Sequence, residues 1–142
     1  MNRPLVVLSS VSSDSHTWNL VYLQLLLEEH GCTVVNLGAT TPDDLVADAL
    51  REHRPDALVI SSVNGHGAID GARVMRHLAA DPVTASVPAV IGGKLGVAGE
   101  LGLDAEAALL AAGFHAVLSD PVQLVSTIAA LAGQRRLEPA GA

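Results

Sequence analysis

Asp14-Ser15-His16 follows a short apolar run, Leu5 to Leu8, and sets an imidazole two residues from a carboxylate. A metal-bound histidine ordinarily donates its second ring N–H to a carboxylate, which fixes the tautomer and raises the basicity of the ligating nitrogen. On an irregular loop Asp14 can do this for His16. Two more polar or glycine-rich segments follow later apolar runs. One is Ser61-Ser62-Val63; the other is Gly92-Gly93, which opens a stretch with four glycines between Gly92 and Gly99. Glycine lets a backbone lie flat against a bulky partner because no Cβ intervenes. If the three segments converge on one sheet edge, they suit a large, planar, metal-centred ligand. Each also has a plain counterpart: an exposed loop histidine without a role is the commoner case, and glycines can simply make turns.

The elements that must position these segments are legible as apolar runs of strand length. They are Leu5–Leu8, Thr33–Leu37, Ala57–Ile60, Val87–Ile91 and Ala116–Leu118. Helical segments alternate with them. Leu20, Leu23, Leu26 and Leu27 form one stripe that ends at His30 and Gly31, a polar last turn and a C′ glycine. Thr41-Pro42-Asp43-Asp44 predicts a helix start with Thr41 as N-cap, Pro42 first in the helix and acids against its positive end. A third helix is expected from about Ala68 to Ala80, and a fourth capped by Asp104 and stopped at Gly113. A fifth opens with the capping-box-like Asp120-Pro121-Val122-Gln123. Five βα units predict a three-layer α/β sandwich of flavodoxin-like (Rossmann-like) type. Its five-stranded parallel sheet has the order 2-1-3-4-5. In that order the first, third and fourth loops lie together beyond the strand carboxyl ends, where ligands of such sheets bind. One domain is expected over residues 1–134, with a frayed tail over 135–142.

Composition narrows the function classes. The 142 residues are 49% hydrophobic but only 2% aromatic, an aliphatic core suited to a sheet covered on both faces. A net charge of −7 and only Trp18, Tyr22 and Phe114 as aromatics argue against a nucleic-acid partner. No apolar run approaches a membrane span, and the short apolar N-terminal strand is not a signal-peptide core, so a cytoplasmic protein is expected. Cys32 is the single cysteine, which excludes an intrachain disulfide and a cysteine-based zinc site. It reads as a small buried hydrophobe.

Asp14-Ser15-His16-Thr17-Trp18-Asn19, Ser61-Ser62-Val63 and Gly92-Gly93, in this order and at these separations, resemble a known signature. It is the Asp-x-His-x-x-Gly, Ser-x-Leu, Gly-Gly pattern of cobalamin-binding domains that hold the cofactor base-off. The resemblance covers nearly the whole chain and is closest to the small, sigma-type subunits of glutamate (methylaspartate) mutases. Ser61 to Asp70 and Asn36-Leu37-Gly38 are particularly similar. It implies that His16 is the lower axial ligand of cobalt, with Asp14 as its hydrogen-bonding partner. Ser13, Ser15 and Thr17 would complete the first cofactor-binding loop. Ser61 would bond a nitrogen of the displaced dimethylbenzimidazole, with Val63 and Gly65 beside it, and Gly92, Gly93 and Leu95 would flank the nucleotide slot. The implied cofactor is adenosylcobalamin. The implied partner is a large barrel-type catalytic subunit, the reaction L-glutamate to 3-methylaspartate, and no catalytic residue is expected on this chain.

Two positions depart from the signature. Val63 replaces leucine and keeps an apolar wall. Asn19 replaces glycine and adds a side chain beside Trp18, which should narrow or reshape the slot. Trp18 and Tyr22 stand four apart on a predicted helix and are expected to pack together as core or rim, with contact to the cofactor as the alternative. Alternative functions share the fold. A corrinoid carrier for methyl transfer commonly has a helical cap ahead of the domain, for which a first strand at Leu5 leaves no room. A regulatory module would need an output segment. A response regulator wants acids where Ser9-Ser10 and Ser61-Ser62 stand, and a dinucleotide fold wants its glycine motif after the first strand. Flavin mononucleotide binding is the best non-cobalamin alternative, with Ser9-Ser10-Val11-Ser12-Ser13 presenting hydroxyls and N–H groups to a phosphate.

Overall fold

A computed structural model describes residues 3–12, 17–61, 67–92, 103–118 and 120–137. Five parallel strands form one sheet in the order β2-β1-β3-β4-β5. They are β1 (Leu5–Ser9), β2 (Thr33–Asn36), β3 (Ala57–Ser61), β4 (Ala89–Gly92) and β5 (Ala116–Leu118). The helices are α1 (Trp18–Glu29), α2 (Asp43–His53), α3 (Gly67–Leu78), the short α4 (Pro82–Ala85), α5 (Leu103–Ala112) and α6 (Pro121–Leu137). The expected flavodoxin-like architecture and strand order are the observed ones.

Strand alternation divides the core into two layers. Val7, Leu58, Ile60 and Ile91 pack with Val46 and Leu50 of α2, Val74 and Leu78 of α3, and Leu109 of α5. Val6, Leu8, Val59 and Val90 face the other way, onto Leu20 and Leu27 of α1 and Leu124, Ile128 and Leu131 of α6. The central strand β3 is buried throughout, as an all-aliphatic run flanked by helices on both faces should be. Cys32 belongs to the α1–α6 layer, as its expected role as a small hydrophobe requires.

Several helix ends follow the local chemistry closely. Past α1, the Gly31 N–H bonds Glu28 O at 3.0 Å and the Cys32 N–H bonds Leu27 O at 3.0 Å, with Gly31 at φ +93°. This is a Schellman closure, and it returns the chain to β2. Asp120 caps α6 by accepting the Val122 N–H at 2.9 Å. Two expectations are corrected. Thr41 is not the N-cap of α2: Pro42 takes that position, and the Thr41 hydroxyl donates instead to Gly38 O at 2.7 Å while accepting the Ser10 N–H at 3.4 Å. Its oxygen is engaged in tying the β2–α2 connection to the end of β1. Helix α5 starts at Leu103, so Asp104 falls inside the first turn and does not cap it. The four-residue α4, capped by Asp81 through the Val83 N–H, was not legible as a periodic segment because it is barely one turn. Helix α6 continues through Gly133 to Leu137, so residues 135–137 of the expected tail are helical.

Candidate functional site

Pairing register decides which side chains meet at the carboxyl edge. Ser61 pairs with Gly92, and Gly92 with Leu118, so the last residues of β3, β4 and β5 stand in one row. Below this row, between the sheet and the α1–α6 layer, lies a cavity of about 160 Å³, open to solvent on one side. Leu23, Val59, Leu118 and Leu124 give it apolar walls, and Asn19, Ser61 and Asp120 supply polar groups. Its apolar walls and sparse polar groups are those of a small-molecule slot.

Ser61 is 2% exposed, and its Oγ accepts a hydrogen bond from Asn19 Nδ2 at 2.5 Å. Asn19 Oδ1 is buried and has no hydrogen-bond partner among the described residues. Asn19 therefore reaches the slot from the first turn of α1 and carries one buried acceptor that no described residue answers. An apolar chamber with a hydroxyl and an unanswered amide oxygen fits a flat aromatic base joined to a polar tail. Gly92 also lines the cavity, and its lack of a side chain has a second cause. A Cβ there would stand 2.7 Å from the Leu118 carbonyl oxygen on the neighbouring strand.

Of the residues singled out from sequence, the structure brings Ser61 and Gly92 together at this edge. Thr17 is described as the exposed residue before α1; its carbonyl accepts the Val21 N–H at 3.1 Å. Ser13, Asp14, Ser15, His16, Val63, Gly65, Gly93 and Leu95 lie outside the described residues. Sequence reasoning missed Leu23, Leu118, Asp120 and Leu124 as slot residues. Their signal was present only indirectly: once α1 and α6 share a face, the stripes of both helices wall anything between them. Trp18 and Tyr22 do not pack as core. Trp18 is 84% exposed and Tyr22 55%, and Tyr22 lines the cavity. With Val21 and Leu25 they leave an apolar stripe uncovered on α1.

A charged cluster sits on the opposite side of the edge, where β1 runs into its loop. Arg73 of α3 donates to Asp43 of α2 (3.0 Å), to Asp70 of its own helix (2.8 Å) and to the hydroxyl of Ser12 (2.7 Å). The hydrogen bond to Asp43 holds the guanidinium pKa above its ordinary value, and the charge of Asp70 adds to it. This anchors the segment that leads directly to residues 13–16. Ser9 and Ser10 are buried, and the Ser9 hydroxyl donates to Ser10 O.

The comparisons with known proteins agree with this geometry. A family model described as B12 binding domain matches residues 4–109. A glutamate mutase sigma subunit of Halobacterium salinarum is 42% identical over 94 residues; the match covers 66% of this chain and 62% of that one, less than two thirds of its length. Glutamate mutase sigma subunit 2 of Haloarcula marismortui is 29% identical over 138 residues, covering 95% and 92%. Among solved structures, a cobalamin-binding protein from Desulfitobacterium hafniense superposes with a TM-score of 0.77 at 19% identity, over 92% of this chain and 60% of that one, a likeness of fold alone. With a family match that runs from β1 into α5, the chain belongs to the B12-binding domain family.

Proposed function

We propose that this chain is the cofactor-carrying small subunit of a two-component, adenosylcobalamin-dependent glutamate mutase, and that it holds the corrinoid base-off with His16 on cobalt. The observation that carries the reading is the slot beneath Ser61 and Gly92. It is apolar, opens at the carboxyl edge, and carries few polar groups, the furnishing that a base detached from cobalt requires. The relatives are glutamate mutase sigma subunits, and the reaction we assign on that basis is interconversion of glutamate and 3-methylaspartate.

When bound, adenosylcobalamin supplies a weak cobalt–carbon bond as a source of radical chemistry. The chain's own residues do the rest of what is assigned to it. Leu23, Val59 and Leu124 would keep water from the buried base, and the Ser61 hydroxyl would orient it. His16 would offer its lone pair to the cobalt, and Asp14 would accept the hydrogen bond from the other ring N–H. The substrate falls to a separate, large barrel-type subunit. The uncovered apolar stripe of Trp18, Tyr22 and Leu25 is a surface of the kind partner proteins cover. No helix among the described residues is long and apolar enough to cross a membrane, which accords with the cytoplasmic location we assign.

The flavin alternative finds little support in the described residues of its phosphate loop. Ser9, Ser10 and Val11 are buried, the Ser10 N–H is given to Thr41, and Ser12 is held by Arg73. The test is electron paramagnetic resonance of cob(II)alamin bound to protein carrying nitrogen-15 histidine. The unaltered protein is expected to split the cobalt lines into nitrogen-15 doublets, and His16→Ala to lose them while keeping its circular dichroism. Doublets that persist in His16→Ala overturn the ligand assignment. A requirement for the methyl cofactor, with no complementation by a large mutase subunit, would favour a methyl-transfer carrier.

A further inference from the structure

Asn19 stands where the family signature has glycine, and it brings to the slot chemistry that glycine cannot. Its Nδ2 donates to Ser61 Oγ at 2.5 Å, and both side chains line the cavity. Its Oδ1 is buried with no partner among the described residues. Native proteins seldom leave a buried amide oxygen unanswered, because it has lost water and gained nothing in exchange. A hydroxyl has one proton and two lone pairs. With one lone pair of Ser61 taken by the Asn19 amide, its proton remains free to donate into the slot. The two residues together therefore present one donor, Ser61 O–H, beside one open acceptor, Asn19 Oδ1.

We propose that Asn19 is a recognition residue for the nucleotide tail of the corrinoid, its Oδ1 accepting a hydrogen bond from an N–H or O–H that the tail carries. This rests on the reading that the slot takes that tail. A lower base with a ring nitrogen next to an amino group, as in a purine, matches the donor–acceptor pair at both points. Dimethylbenzimidazole matches only at Ser61, so with that base the donor must come from a ribose hydroxyl or the linker amide.

Binding affinities distinguish these sources. The full chain and its Asn19→Leu variant, which keeps the volume and removes both hydrogen bonds, are titrated with cobalamin, with an adenine-bearing cobamide and with tail-less cobinamide. Asn19→Asp, which restores only the acceptor, serves as the partial rescue. Removing one partner of a buried hydrogen bond predicts that Asn19→Leu weakens tail-bearing corrinoids by about tenfold to a hundredfold and leaves cobinamide unchanged. A loss confined to the adenine cobamide identifies the base amine as donor; an equal loss with both identifies the ribose or linker. A double cycle with Ser61→Ala is expected to be non-additive, because the two side chains act as a unit. Tail-bearing corrinoids that bind Asn19→Leu as tightly as the unaltered protein, or more tightly, overturn the proposal and leave Asn19 a filler. Should the unaltered protein not discriminate cobalamin from cobinamide at all, the tail lies elsewhere, and the functional reading falls with it.

Discussion

Gly92 shows how one residue can answer two demands. From sequence it reads as a place where backbone approaches a ligand, and it does line the slot. The neighbouring strand already forbids a side chain there, since an added Cβ would come within 2.7 Å of Leu118 O. Backbone cannot yield as a flexible side chain can, so Gly92→Ala should strain the β4–β5 pairing by about 1–3 kcal/mol and lower the thermal midpoint by roughly 3–10 °C. Gly133 in α6 is the control, with nothing within 4 Å of a built Cβ. Gly133→Ala should leave stability unchanged or raise it by up to about 1 kcal/mol. Thermal unfolding followed by circular dichroism reads both, and a Gly92→Ala protein as stable as Gly133→Ala would show that the sheet edge relaxes freely.

At the scale of elements, Arg73 joins α2, α3 and the start of the first loop through Asp43, Asp70 and Ser12. The arginine side chain is 42% exposed, so solvent screens these pairs and each contributes little by itself. Arg73→Met, which keeps the aliphatic stem, should therefore cost only about 1 kcal/mol of stability. Its larger effect is local. Amide hydrogen exchange at Val11 and Ser12 should quicken while exchange in β3 stays the same, and corrinoid affinity should fall for cobalamin and cobinamide alike. Uniform quickening across the sheet would mean that Arg73 supports the whole fold and not the loop. The charge pattern of α2 was visible in Asp43-Asp44, but its partner Arg73 was not, because thirty residues separate Arg73 from Asp43 and only the α2–α3 packing brings them together.

Stability of the whole molecule is coupled to pH through Cys32. Cys32 is buried between α1 and the sheet; burial pushes its thiol pKa above the ordinary value, and the carboxylate of Asp56 raises it further. In the unfolded chain the thiol ionises at its ordinary pKa, while in the fold it keeps its proton. The unfolded state therefore binds fewer protons as pH rises past that range, and stability is full below it and falls above it. Denaturant midpoints measured from about pH 7 to about pH 10 should decline with a slope of up to one proton, about 1.4 kcal/mol per pH unit. The decline should be shallower in Cys32→Ala. Equal slopes in the two proteins would assign the decline to other groups.

The strand runs, the α1 stripe closed by Gly31, and the alternation of βα units were legible from local rules of period and capping. The crossover rules for such units then led to the strand order that is observed. Sequence also marked Ser61 and Gly92, because each ends an apolar run. Tertiary structure decided what those two residues face. The register that sets Ser61, Gly92 and Leu118 in a row, the walls that α1 and α6 bring from opposite ends of the chain, and the bond from Asn19 to Ser61 all depend on contacts across 26 residues or more. The exposure of Trp18 and Tyr22 was likewise beyond local pattern. An i,i+4 pair defines a shared face, but only packing says whether that face meets the core or the solvent.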